Sequence, residues 1–199
     1  MANGVSFNRN EAIEKATLLF WKKGYHATSM RNLQQVLDLR PGSIYASFGS
    51  KEGLFKEVLR CYAKRNLTSL KYCIESSASP LGALKIYIEA AVIESTNNSD
   101  TITLPNSMCL LVKTISELTE ENHQLLIESK RLLEMIQGAF IVLLTEAQSA
   151  GQLTPGQDLE RLAHYVQMQI TGLRIYAHTN DKARVNQLIS DLFNSIKAN

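Results

Sequence analysis

Apolar residues fall three and four positions apart along almost the whole chain, and nowhere alternate long enough to predict a strand. Ala12, Ile13, Ala16, Leu19 and Phe20 form one such stripe. It predicts a first helix from about Asn10 to Lys23, stopped by Gly24 behind two lysines. Thr28 or Ser29 can cap a second, short helix ending near Leu37, with Met30, Leu33 and Val36 or Leu37 turned inward. A third begins at about Arg40, where Pro41 suits the first turn because the hydrogen it lacks has no partner there. Ile44 and Phe48, four apart, face the same interior. Ser50 opens a fourth helix that reaches Cys73 or beyond, with Glu52 favourable at its positive end.

Five more helices are expected. One runs from Pro80 to about Ser95, and the stretch NNSDTITLPNS breaks the pattern after it. Helicity resumes from about Met108 to Leu118, from Glu121 to Ala150, from Asp158 to Tyr176 and from Asp181 to Lys197, with Gly151 and GQLTPGQD marking stops. The fold class is therefore all-α: a head of three short helices and a larger helical body.

Composition sharpens this division. Of the 199 residues, 45% are hydrophobic and 20% charged, ordinary for a packed soluble chain. The net charge of +2 hides an asymmetry. Residues 1–65 carry eleven Lys or Arg against five Asp or Glu, while residues 66–199 carry ten against fourteen. A basic head on an acidic body points to a polyanionic partner for the head. No apolar run is long enough for a membrane span, and no secretory leader pattern opens the chain, so a cytoplasmic location is expected. Cys61, Cys73 and Cys109 are odd in number and widely spaced, unlike a disulfide framework or a zinc site. His123 and His164 stand alone, and no metal or cofactor is expected.

In the head, the turn Leu37–Arg40 joins two short helices in the manner of a helix-turn-helix, whose second helix enters the major groove. Its leading end offers Arg40, Pro41, Gly42, Ser43, Tyr45 and Ala46. Pro41 and Gly42 are slim enough for close backbone approach. Ser43 and Tyr45 carry hydroxyls for phosphate or base edges, and Arg40 suits a guanine edge or a phosphate. Thr28 and Ser29 stand at a helix N-terminus, a natural phosphate site, and Lys51, at the start of the fourth helix, is placed to touch the other side of the backbone.

These residues also carry a resemblance. Gly24, Tyr25, the run Ala27–Met30 and Leu33, then Gly42, Ser43, Ile44, Tyr45, Phe48, Ser50, Lys51, Glu52, Leu54 and Phe55, are similar in order and spacing to the opening of the TetR family of transcriptional regulators. The similarity spans about residues 10–56. It departs from the common pattern at Ala46, where a larger polar residue is frequent; Ala46 can meet a thymine methyl but cannot donate a hydrogen bond. The segment Leu39–Ser43 looks like a subgroup that includes regulators of electrophile-detoxification and acrylate-type genes. The resemblance implies residues 1–56 as the DNA-binding domain and residues 57–199 as the ligand-binding and dimerisation domain. It implies a homodimer on a double-stranded operator, with repression relieved by a small-molecule or electrophile effector.

Within the body, Tyr72, Tyr87, Met108, Cys109, Met135 and Phe140 are candidate ligand-lining residues. Cys109 is singled out because Met108–Val112 resembles the start of the sixth helix in the electrophile-responsive subgroup. A cysteine near a helix N-terminus has its thiolate favoured by free amides. Asn106 or Ser107 is a candidate cap for that helix, and Lys113, four residues beyond Cys109, a candidate neighbouring charge. The expected dimer seam is the last helix pair, through Leu162, Tyr165, Val166, Met168, Gln169, Gly172, Leu173 and Tyr176 with Val185, Leu188, Ile189 and Phe193. An effector is expected to act by shifting the fourth helix, which ties body to head.

An enzyme is disfavoured: the chain has no phosphate-binding glycine loop, paired-carboxylate motif or nucleophile elbow. A helical partner-binding adaptor, and an activator of the same fold, remain open at this level.

Overall fold

The computed structural model describes residues 8–93 and 108–198. Among these, every regular element is helical: α1 (Arg9–Lys23), α2 (Met30–Leu37), α3 (Pro41–Phe48), α4 (Lys51–Ser76), α5 (Pro80–Val92), α6 (Leu110–Glu117), α7 (His123–Ser149), α8 (Leu159–Tyr176) and α9 (Lys182–Ala198). A 3-10 turn, Glu120–Asn122, leads into α7. The expected break NNSDTITLPNS and the candidate caps Asn106 and Ser107 lie outside the described residues.

The helix ends follow from local chemistry. Asn8 caps α1 by accepting from the amides of Asn10 and Glu11. Between the two candidates for the α2 cap, the structure takes Ser29: its Oγ accepts from the Asn32 amide at 3.1 Å, and the Asn32 side chain accepts from the Ser29 amide at 3.1 Å. Asp38 ends α2 in the left-handed region, a conformation that Asp tolerates better than most residues. Ser50 caps α4 through the Gly53 amide at 2.9 Å, and a side chain at Gly53 would collide with the Phe48 carbonyl.

The core forms where the apolar stripes meet. Ala12, Ile13, Ala16 and Phe20 are buried as expected, with Leu19 partly buried and Trp21 added. Leu33 and Leu37 are the inward residues of α2, whereas Val36 is 39% exposed. Ile44 and Phe48 pin α3 inward. An aromatic knot joins α1 to α4: the Phe20 and Phe55 rings lie 4.5 Å apart, and Tyr25 lies 5.0 Å from Phe55. α4, 26 residues long, spans about 39 Å at the usual helical rise. It packs against α1 and α3 on the head side and against α5, α6 and α7 on the body side.

One polar cluster staples α4 to α7. Glu128 accepts from Arg60 Nε at 2.7 Å, and from Arg131 Nε and Nη2 at 3.0 Å each. The hydrogen bonds from Arg131, then those from Arg60, outweigh its burial and pull the Glu128 carboxyl down to about 2 from an ordinary 4.5. A depressed acid stabilises the fold above its unfolded pKa and loses that contribution as pH falls. Both arginines are half exposed, so solvent screening leaves about 1–2 kcal/mol. In Glu128→Gln, the stability deficit measured by denaturant titration is expected to be constant at neutral pH. It should shrink as pH falls from 4.5 towards 2. A pH-independent deficit counts against this ion cluster.

Candidate nucleic-acid interface

At the leading end of α3, a row of exposed residues is presented by a buried base. Ile44 and Phe48 anchor one face, so Arg40, Pro41, Gly42, Ser43, Tyr45 and Ala46 stand on the other, all exposed. Pro41 is the first helical residue and Arg40 is the cap, with no side-chain bond to the helix end, so its guanidinium is available. Tyr45 is 49% exposed, which leaves its ring and hydroxyl open to a partner. Arg9, which the sequence reading passed over, clamps this helix from behind. Its Nη1 donates to the Ser47 carbonyl at 2.6 Å, and its guanidinium lies 4.6 Å from the Phe48 ring centroid.

Two candidates for phosphate contact are placed differently from the expectation. Thr28 is fully buried and its hydroxyl donates to the Gly24 carbonyl at 2.6 Å, so it holds the α1–α2 turn and cannot reach DNA. Ser29 remains exposed at the α2 N-terminus. Lys51 lies 4.3 Å from the Tyr25 ring centroid, and burial lowers its pKa.

A second attachment of head to body runs through α6. Glu117 accepts from the His26 amide at 2.7 Å, and Lys113 Nζ donates to the Trp21 carbonyl. Lys113 therefore grips the head and does not turn towards Cys109. Gly24 is required here: it has a φ of 84°, and a side chain would press within 2.6 Å of both Glu117 carboxylate oxygens. The body thus touches the head through α6 as well as through α4, where the sequence suggested α4 alone.

Among the candidate ligand residues, the structure brings together Tyr87, Phe140 and Cys109, all buried, with the Tyr87 and Phe140 rings edge-on at 5.7 Å. Met108 is half-buried beside them in sequence. Tyr72 is 70% exposed and Met135 40% exposed, so both face away from that interior. Cys109 is itself the N-cap of α6 and makes no side-chain cap bond. Arg174, Tyr62 and Asn66 belong to the same buried region and were missed; the available signal was a charged residue set four beyond Ile170 in the apolar stripe of α8.

The dimer candidates also divide. Val166, Leu173, Val185, Ile189 and Phe193 are buried within the single chain. They hold α8 and α9 to their own chain, because the stripe packs inward first, and so differ from the expected placement on an outer face. Leu162, Tyr165, Gln169 and Tyr176 are partly buried, while Gly172, Met168 and Leu188 are exposed, and Ile175 joins them on the outer face.

No cluster of metal-ligating residues occurs among the described residues, and no helix among them is long and apolar enough to cross a membrane.

Comparison with known proteins bears on the same segment. The profile of bacterial regulatory proteins of the tetR family matches residues 12–58. The HTH-type transcriptional repressor ComR of Escherichia coli (strain K12) is 29% identical over 174 residues, covering 86% of this chain and 80% of its own length. The repressor BdcR of the same organism is 45% identical over 56 residues, 28% of each chain. Among solved structures, a cysteine mutant of the TetR family transcriptional regulator CifR, complexed with a 26 bp double-strand operator DNA, superposes with a TM-score of 0.79. It is 25% identical, and the match covers 96% of this chain and 98% of that one.

Proposed function

From the premise that the chain belongs to the TetR family of bacterial regulatory proteins, and is a transcriptional repressor rather than an enzyme, we propose how it acts. It binds a near-palindromic operator as a homodimer and is released by a small molecule or by modification of Cys109. The observation that carries this reading is the exposed row Arg40–Ala46 on a helix whose other face is buried. Paired through the outer faces of α8 and α9, two heads would meet successive major grooves about 34–36 Å apart. Arg40 and Tyr45 would supply base and phosphate contacts, and Ser29 a phosphate contact.

Release requires that the effector bind the DNA-incompetent arrangement better than the DNA-fitting one. An electron-poor alkene would act by alkylation: its β-carbon takes the Cys109 sulfur and its α-carbon takes the thiol proton. The new bulk at the head of α6 would then strain the Lys113 and Glu117 attachments.

The test is selection of bound fragments from sheared source DNA, with competitor DNA at physiological salt, since basic heads bind any DNA when salt is low. A shared near-palindrome bound by two copies is expected. Enrichment of sites without twofold symmetry would overturn the dimeric arrangement. Exposure of the complex to N-ethylmaleimide should release operator in proportion to Cys109 adduct measured by mass spectrometry; release without that adduct would rule out the cysteine route.

A further inference from the structure

Arg174 is a buried cation with no carboxylate partner among the described residues. Only 8% of the residue is exposed. Its Nη1 meets the Tyr62 hydroxyl at 3.3 Å, its guanidinium lies 6.0 Å from the Trp21 ring centroid, and its Nε has no hydrogen-bond partner. No carboxylate pairs with it among the described residues. The groups within electrostatic reach are Tyr62, Tyr87 and Cys109. Burial pushes both phenols well above their ordinary range, so at neutral pH they offer dipoles and no negative charge. Burying a guanidinium without a counter-charge is costly, and a chain that only needed to fill this space would do better with an apolar side chain.

The surroundings fit an anion. The N-terminus of α6 opens at Cys109, which places no side-chain cap on the first-turn amides, and a helix N-terminus favours negative charge. Tyr62 supplies a hydroxyl. Tyr87 holds its hydroxyl towards Asn66 Oδ1 at 3.1 Å and presents its ring to Phe140. The flanking walls include Trp21 beside the guanidinium and Phe140 beside Tyr87, both aromatic. Free inorganic anions have no use for such walls, whereas an organic acid uses both halves of the site.

We propose that the effector of this protein is a small monocarboxylate, whose carboxylate is bound by Arg174 and Tyr62 beneath the N-terminus of α6. This rests on the reading of the chain as an effector-controlled repressor, and adds to it the chemical class of the effector. A carboxylate arriving here pairs with Arg174 and with the α6 amides together. It therefore acts on the helix that carries Lys113 and Glu117 to the head.

The experiment uses the full-length protein with acetate, butyrate, octanoate and benzoate, each beside its neutral amide, and with chloride and phosphate as inorganic controls. Thermal midpoint and operator retention are both read. At least one carboxylate should raise the midpoint and release operator, with its amide at least tenfold weaker, as expected from losing a charge-assisted pair. In Arg174→Met that response should vanish, while the ligand-free midpoint stays level or rises because an uncompensated charge is gone. In Tyr62→Phe, which keeps the fold and one guanidinium, the response should weaken but persist. The proposal is overturned if no carboxylate in the series acts, if amides or phosphate act equally, or if Arg174→Met keeps the response. A lower ligand-free midpoint in Arg174→Met would show a structural arginine and also overturn it. Operator binding without any acid is scored separately, so failure of the repressor reading is seen as such.

Discussion

Arg40→Ala combined with Tyr45→Phe is expected to lower operator affinity by roughly two to three orders of magnitude at physiological salt, since each well-made contact is worth about 1–3 kcal/mol. Neither side chain supports the fold: both are exposed, and Arg40 makes no side-chain cap bond to α3. Surface changes of this kind usually shift stability by about 0.5 kcal/mol or less. Fluorescence anisotropy on a selected operator, beside thermal denaturation, therefore separates lost contact from lost fold. The single Arg40→Ala variant resolves what the sequence left open. If Arg40 meets a phosphate, binding weakens evenly across sequences and the salt dependence falls by about one ion. If it meets a guanine, discrimination relaxes at one position and the salt dependence stays. Unchanged affinity in the double variant would remove α3 from the interface.

Phe55→Ala should be among the most damaging single changes to the fold, at about 3–5 kcal/mol, out of a total stability that for such domains is about 5–15 kcal/mol. Phe55 is 1% exposed and sits between Phe20 at 4.5 Å and Tyr25 at 5.0 Å. Removing it opens a cavity at the one place where α1, the α1–α2 turn and α4 share an aromatic contact, and the neighbouring helices are held by other packing and cannot collapse to fill it. Denaturant titration should show the loss, and Phe55→Leu should recover most of it. A cost near that of an exposed substitution would mean the knot is not what holds α1 to α4. Because Phe55 has no route to DNA, its effect on operator binding should track the unfolded fraction alone.

Helix positions were legible because each boundary had a local cause: Gly24, Pro41, Ser50, Pro80, Gly151 and Asp158 each act within a turn of themselves. The α3 row was legible for the same reason, since Ile44 and Phe48 fix by spacing which residues point away. Thr28 was misplaced because Thr28 and Ser29 are equally good caps in sequence; the choice is made by the Gly24 carbonyl, which takes the Thr28 hydroxyl. Tyr72 and Met135 look like pocket residues by type, yet helical phase turns them outward. Val166, Leu173 and Phe193 satisfy a dimer pattern and a core pattern alike, and only the packing of α8 and α9 on their own chain separates the two. Arg174 was overlooked because a charged residue in an apolar stripe reads as a surface residue until its surroundings are known.

The reach of Glu117 to the His26 amide has a consequence for portability. Heads of this kind invite exchange between bodies, since the segment from α1 to α3 is short and its recognition row is self-contained. In this chain the joint is keyed. A transplanted head must bring a glycine in left-handed conformation where Gly24 stands, an open amide where His26 offers one, and a carbonyl where Lys113 seeks Trp21. A head lacking these features would still fold and still read its own DNA. It would keep the α4 connection and lose the α6 attachment.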